Sequence, residues 1–468
     1  MTTSGRGRIP AVLCLDVEDI VAPEADDAAL WMAEILAAHG LIGSFMVMGE
    51  LARLWEARGR RDVVEALKRH DLGFHSTWHS LHPTTTELCL DRDFRDGMDA
   101  LWEWDSEGWG AAERVLGRPL VGWGRTGSSW APSVMGVMGR MGRAYAYSPV
   151  RLPGHNVCWY AGCLGFCDDG VGGFDQSLAD DALFEQRLAE ADAAIEARAR
   201  QERRGAEWLC LFLGHPTRVV HEAFWDAVNF AYGANPPRAE WRPAPLHDPS
   251  RLPTMRRNYA RLCAWLSRDE RLEIVPWSAL VRRFDGQRPF AAHAELLEAA
   301  RAAAERGAVL FTEHFSAAEL LLMFAEAAAR PAAAYTRPFA YGPLRRPPAS
   351  ARTRFAQPTL QAAAAELLHA ASDGWLPPSV AIEGQAVGIG TLFVALAGLL
   401  AGHPEVATPA DAPWPPEAEA VADCVARMIP GWVIHPRSMD LSGLLEQTRL
   451  QCWTLKPACP REEAPTWP

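Results

Sequence analysis

Residues 9–19 read IPAVLCLDVED. An apolar run this short, ending abruptly in acids, predicts a buried β-strand over 9–16. The next stretch, DDAALWMAEILAAHG (26–40), spaces its apolar residues as a helix does and closes on a glycine suited to a C-cap. LIGSFMVMG (41–49) predicts a second strand, and RRDVVEALKRHDLG (60–73) a second helix. Strand, helix, strand, helix is the pattern of an α/β fold with parallel strands, whose working residues collect at the C-terminal strand ends. Further strands are expected at RAYAYSPV (143–150), EWLCLFLGH (207–215) and RLEIVPWS (271–278), with a long helix at 182–205.

The chain has 468 residues, enough for two domains, and a formal charge of −12. An acidic balance argues against general nucleic-acid binding, which needs a basic field. The N-terminal stretch has no apolar segment of signal-peptide length, and ten cysteines without an export signal suggest reduced thiols in a cytoplasmic protein. The longest apolar run, Val387 to Gly402, is short for a membrane span and reads as a buried helix. After Gln287 the character changes to alanine-rich helices. Residues 1–287 are therefore expected to form the α/β domain and 288–468 a separate all-α domain. FSAAELLLMFAEAAARP and VGIGTLFVALAGLLAGHP suggest an internal repeat within the second.

Four pieces of the first domain carry chemistry. In GFHSTWHSLHP (73–83), His75 and His79 stand four apart, so on a helical turn they share a face and can share a cation. Asp16 and Glu18 leave the first strand on the same side, because strand side chains alternate. One can bind metal while the other takes a proton, and Asp19 suits a helix cap. His215 sits at the tip of WLCLFLGHP, well placed to act as a general acid toward a leaving amine. Arg125, among the glycines of GWGRTGSSW (122–130), can pair with the base carboxylate. Trp78, Trp123 and Trp130 adjoin these motifs and could stack on a sugar ring.

Taken in order, these segments resemble the NodB-type polysaccharide deacetylases, carbohydrate esterase family 4, in the subgroup that opens with DVED. The correspondence runs over residues 8–285: Asp16-Val17-Glu18-Asp19, GSFMVMG (43–49), His75-Ser76-Thr77-Trp78-His79, Arg125, YAYSP, Leu213-Gly214-His215-Pro216 and LEIVPWSALV. The resemblance implies a distorted (β/α)7-type barrel. It implies Asp16 as catalytic base, Glu18, His75 and His79 as ligands of one divalent ion, zinc, His215 as general acid, and Arg125 as a tether for Asp16. Strand alternation favours Glu18 over Asp19 as the acidic ligand. The chain departs from the family at Gly127, where a proline usually stands, and in lacking a clear Asp-Trp motif. Asp168-Asp169 is the nearest acid pair.

The expected reaction is hydrolysis of an N-acyl group, such as acetamido on a carbohydrate. A small-molecule amidohydrolase opening a cyclic amide, ureide or imide is the alternative, and a non-catalytic glycan-binding protein a second one. No nucleic-acid or membrane partner is expected, and the helical domain could support a homo-oligomer. Cys158, Cys163 and Cys167 are too widely spaced for a usual zinc cluster and read as buried thiols. Residues 224–241, FWDAVNFAYGANPPRAEW, read as a loop packed on the barrel rather than a lid.

Overall fold

The computed structural model describes residues 8–167, 171–202 and 209–461. The strand β1 (Ile9–Val17) has every residue buried. β1 pairs in parallel with β2 (Ser44–Val47) and, on the path's last step, with β8 (Cys210–Gly214). Its first three residues also pair with β9 (Leu272–Ile274). Beyond β2 the ladder runs in parallel through β3 (Asp71–Phe74), β4 (Gly122–Gly124), β5 (Ala144–Ala146) and β7 (Cys163–Phe166). β6 (Val157–Tyr160) then joins β7 antiparallel. The expected strands at 9–16, 41–49, 143–150, 207–215 and 271–278 are all present, each shorter or longer by a few residues. Burial on both faces explains why β1 reads as a nearly unbroken apolar run.

Alternation along β1 separates two packing layers. Leu13, Leu15 and Val17 join the large cluster beneath the flanking helices, whereas Val12 and Cys14 belong to an inner cluster. That inner cluster draws Val157 and Phe166 from one end of the sheet and Leu211 from the other, so the sheet curls around it. The ladder does not close, however: β8 lies at one end of the strand path. Across the gap the Asn156 side chain stands in for a strand neighbour. Its Nδ2 donates to the Leu209 carbonyl at 2.9 Å and its Oδ1 accepts from the Leu209 N–H at 3.0 Å. The expected barrel is thus an open, mixed sheet whose seam is bridged by one buried amide.

The second core does not extend over the whole of 288–468. It comprises the helices His293–Arg306, Ala317–Ala329, Gln357–Ala370 and Ile389–Leu400. It is not all-α either. The pairs β10 (Phe290–Ala292) with β11 (Ala334–Thr336), and β12 (Arg354–Ala356) with β15 (Glu405–Ala407), are antiparallel ribbons. The second repeat also carries a hairpin of β13 (Ser379–Ile382) and β14 (Gln385–Gly388). Each repeat therefore runs strand, helix, helix, strand, and its first helix packs on the second helix of the other repeat. The apolar run at 387–402 is a helix at the middle of this core, as expected.

From Glu417 onward the chain returns to the first core. Val421, Val425, Ile429, Ile434 and Leu444 pack there, and β16 (Lys456–Pro457) adds an antiparallel strand beside β6. The division expected at 287/288 is corrected accordingly: the helical repeats are an insertion, and the last segment belongs to the α/β unit. The amphipathic Glu417–Met428 helix, with Ala418, Val421 and Val425 buried, gives no local sign of which core will receive that face. A buried ion pair ties the two parts. Lys456 Nζ lies 2.9 and 2.8 Å from the Glu319 carboxylate oxygens, and Arg337 reaches the same carboxylate at 2.9 Å. Glu319 also completes a capping box with Ser316. Burial lowers the Lys456 ammonium to about 8, against the raising effect of Glu319.

Candidate metal centre and catalytic site

The alternation that places Val12 and Cys14 inside carries on past the apolar residues, so Asp16 and Glu18 enter the same interior space. Asp19 turns the other way. Its Oδ1 accepts from the N–H groups of Val21 and Ala22, both at 2.9 Å, and its Oδ2 accepts from the Thr217 hydroxyl at 2.9 Å. The expected helix cap is corrected: Asp19 closes the turn ahead of the Glu24–Ala38 helix, whose N-cap position is Pro23, and these bonds engage both its oxygens away from the metal ligands.

The two histidines follow β3, but not on a helix. Ser76 and His79 have φ of 53° and 55°, and the segment is irregular. The two histidines do not share a helical face as expected; a tight loop brings the rings together, with centroids 4.9 Å apart. Backbone bonds hold that loop from two sides. Gly49 N–H donates to the Ser76 carbonyl at 3.0 Å, and the buried Asp105 carboxylate accepts from Thr77 N–H at 2.5 Å. Burial, partly offset by Thr77, raises the Asp105 carboxyl to about 7.

Glu18, His75 and His79 offer ligand atoms that lie within 4.8 Å of one another. Glu18 Oε2 is 3.4 Å from His75 Nε2 and 2.8 Å from His79 Nε2. Among the described residues, neither Nε2 has a hydrogen-bond partner, nor does Glu18 Oε1. The opposite ring nitrogens explain why. His75 Nδ1 donates to the Gly124 carbonyl at 3.1 Å. His79 Nδ1 donates to Ser80 Oγ at 2.6 Å, since that hydroxyl's own proton goes to Asp226 Oδ2 at 2.8 Å. Both rings are thereby held as Nδ1–H tautomers with an Nε2 lone pair facing the third donor. Buried polar atoms left without partners are costly, and two imidazole nitrogens plus a carboxylate suit a divalent ion such as zinc. The residues fit the metal. Burial pushes the Glu18 carboxyl upward, yet the two imidazoles outweigh it and hold the group well below its ordinary range.

Asp16 and His215 flank this set. Asp16 Oδ2 is 3.8 Å from His75 Nε2 and 3.7 Å from His215 Nε2. Burial raises its pKa, against the lowering pull of His75 and His215. His215, at the tip of β8, is fixed by an acid the sequence reading did not identify. Asp175 accepts from the His215 main-chain N–H at 3.0 Å and from Nδ1 at 2.6 Å. Burial alone would disfavour the imidazolium, but Asp175, helped by Glu18 and Asp16, raises it to about 10. Asp168 and Asp169, the acid pair noted in the sequence, lie outside the described residues.

Arg125 lines the same cleft, but Asp16 is not its partner. Its guanidinium donates to the carbonyls of Gly127 at 3.0 Å and Tyr147 at 2.8 Å, and touches Met428 Sδ at 2.7 Å. The tether is corrected to a wall residue, held by the loop that the glycines shape. The tryptophans are also corrected. Trp123 and Trp130 are fully buried in the core, where Trp123 packs edge-on against Phe74, and Trp78 packs partly buried against the same core. The aromatic side chains that do line the cleft, beside the histidines, are Tyr147, Phe224 and Trp432. Phe224 comes from the 224–241 segment, which packs as expected through Trp225 and Phe230. Trp432 comes from the returning C-terminal segment. The cleft has a volume of about 770 Å³ and reaches outward to Gln186 and Arg187, a size that accommodates a small organic ligand.

Among the described residues, no helix is long and apolar enough to cross a membrane, and the ten cysteines are thiols outside any disulfide. No family model matches the chain, and no curated protein matches it. Solved structures do. A provisionally named polysaccharide deacetylase from Mycobacterium smegmatis is 13% identical with a TM-score of 0.36, over 60% of this chain and 91% of that one. A similarly named protein from Pseudomonas aeruginosa PAO1 is 11% identical with a TM-score of 0.39, over 59% and 90%. A CE4-family pseudoenzyme from Bacillus anthracis is 12% identical with a TM-score of 0.26, over 45% and 55%. Likeness at this level carries no argument about activity, and the residue geometry has to supply it.

Proposed function

We propose that this chain is a metal-dependent hydrolase of the NodB type that removes an N-acyl group, acetyl foremost, from an amino sugar or a related amide. The observation that carries the reading is the convergence of Glu18, His75 and His79, both imidazoles in the Nδ1–H tautomer, with an acid and a histidine on either side. A binding module needs none of this, whereas amide hydrolysis by metal-activated water uses each of these groups. A divalent ion held by those three side chains, zinc in our reading, would acidify water and polarise the acyl carbonyl.

Asp16, raised by burial, takes a proton from the attacking water as its oxygen bonds to the acyl carbon. His215, kept protonated by Asp175, faces Asp16 across the centre and delivers its Nε2 proton to the departing nitrogen. The C–N bond then breaks to give a carboxylic acid and an amine. Asp175 orients the acid, and Phe224 stands edge-on to it at 5.0 Å between centroids.

The test is Asp16→Asn on zinc-loaded protein, assayed with N-acetylglucosamine oligomers and, in parallel, with cyclic ureides and imides. Zinc uptake should remain stoichiometric while acetate release falls by about 10²–10⁴-fold. An Asp16→Asn protein with full activity would refute the mechanism. Turnover of the cyclic amides alone would move the substrate to the small-molecule class.

A further inference from the structure

The returning C-terminal segment places one side chain where it can act on the metal centre. Trp432 Nε1 donates to Asp226 Oδ2 at 2.8 Å. The same oxygen accepts from Ser80 Oγ at 2.8 Å, and Ser80 Oγ accepts from His79 Nδ1 at 2.6 Å. Asp226 Oδ1 is occupied by the Ala227 N–H at 2.7 Å. The carboxylate is wholly buried and acts as an acceptor throughout, so every proton in the chain points toward it. An indole can only donate, which fixes this direction at the far end. The other face of the ring stands 5.1 Å from Phe224, the residue packed against His215.

The barrel has made room for this ring. Gly127, at φ +52°, lies against it, and a Cβ built there would come within 3.0 Å of Trp432 Cδ1. The glycine that breaks the sequence pattern after Arg125 is the one on which the indole rests.

We infer that Trp432 is a positioning residue for the metal centre, acting through Asp226 and Ser80 to hold the tautomer and angle of His79. The α/β unit thus depends on a segment separated from it in sequence by the whole helical insertion. The inference rests on the proposed metal site and goes beyond it by assigning a role to a cleft-wall residue that is not one of the metal-binding side chains. Groups that hydrogen-bond a metal ligand directly, as Ser80 does His79, typically alter metal affinity by about 10–100-fold, and Trp432 acts through that link.

The experiment measures zinc affinity of the full-length protein by competition with a chromogenic chelator, without substrate. The variants are Trp432→Phe, Asp226→Asn and the double variant. Trp432→Phe keeps an aromatic ring for packing and removes the N–H donor. It should weaken zinc about 10-fold or more, and much less when added to Asp226→Asn, because the route through the carboxylate is already cut. Trp414→Phe serves as a control, since its indole bonds Glu419 away from the site. Wild-type affinity in Trp432→Phe would overturn the inference and leave the proposed function standing. An equal loss in both backgrounds would also overturn it, by showing that the effect bypasses Asp226. A wild-type protein that binds no zinc would overturn the metal site and the inference together.

Discussion

Replacing Asp175 by Asn tests whether His215 serves as the acid. The carboxylate lies 2.6 Å from His215 Nδ1 and is the main influence raising the imidazolium to about 10, against burial. With the charge removed, the ring should titrate near its ordinary value of about 6.5. At pH 8, a ring with a pKa of about 10 is ~99% protonated and one at about 6.5 is ~3% protonated. Loss of the protonated form alone therefore lowers turnover roughly 30-fold at that pH. Near pH 5.5 both rings are mostly protonated, so the deficit should shrink to the cost of lost orientation. The assay is acetate release by zinc-loaded protein from pH 5 to 10, comparing the descending limb of kcat in the two proteins. That limb should move to lower pH by more than one unit. A second readout needs no turnover. The folded-state pKa of His215 lies above the unfolded value, so its contribution to stability is complete below about pH 6.5 and is lost as pH rises toward 10. Metal-free wild type should therefore lose thermal stability across that window more steeply than metal-free Asp175→Asn. A descending limb that stays in place, with unchanged steepness in the melting curves, would refute the assignment of Asp175 and His215.

Other expectations follow from the corrected roles. Arg125→Gln should leave the ascending limb of the pH profile in place, because Asp16 is not its partner, while KM rises several-fold through loss of the wall shared with Tyr147 and Met428; a shift of that limb by a full pH unit would restore the tether. Glu319→Gln leaves Lys456 and Arg337 facing each other without a carboxylate and should cost about 3–5 kcal/mol in denaturant unfolding. Removing Lys456 and Glu319 together, as Lys456→Met with Glu319→Leu, should cost much less, and a double variant as unstable as Glu319→Gln would argue against the pair. Glu18→Gln should reduce zinc uptake far more than Asp16→Asn does, which metal analysis of the two purified proteins decides.

Local sequence determined a good deal of this molecule. The apolar run and its terminal acids predicted β1, and period-two alternation placed Asp16 and Glu18 on one side, because both properties belong to a single strand. Asp19 was separated from them by the same alternation. His215 at the tip of β8 was equally legible, since an apolar strand ending in a polar residue needs no distant partner to be read. The grouping of the two histidines was reached through a helical turn that does not exist; a loop with two residues at positive φ does the work instead. Tertiary structure alone decided the rest. Asp175 and Asp226 are single acids with no distinguishing neighbours, and they matter only because the fold brings them 2.6 Å from His215 and 2.8 Å from Ser80. Trp123 and Trp130 stand beside the motifs in sequence yet point into the core, whereas Trp432, beyond the insertion, reaches the site. A side chain's role depends on what lies across the space it enters. Periodicity reports which way a residue faces within its own element, and only packing determines what it meets there.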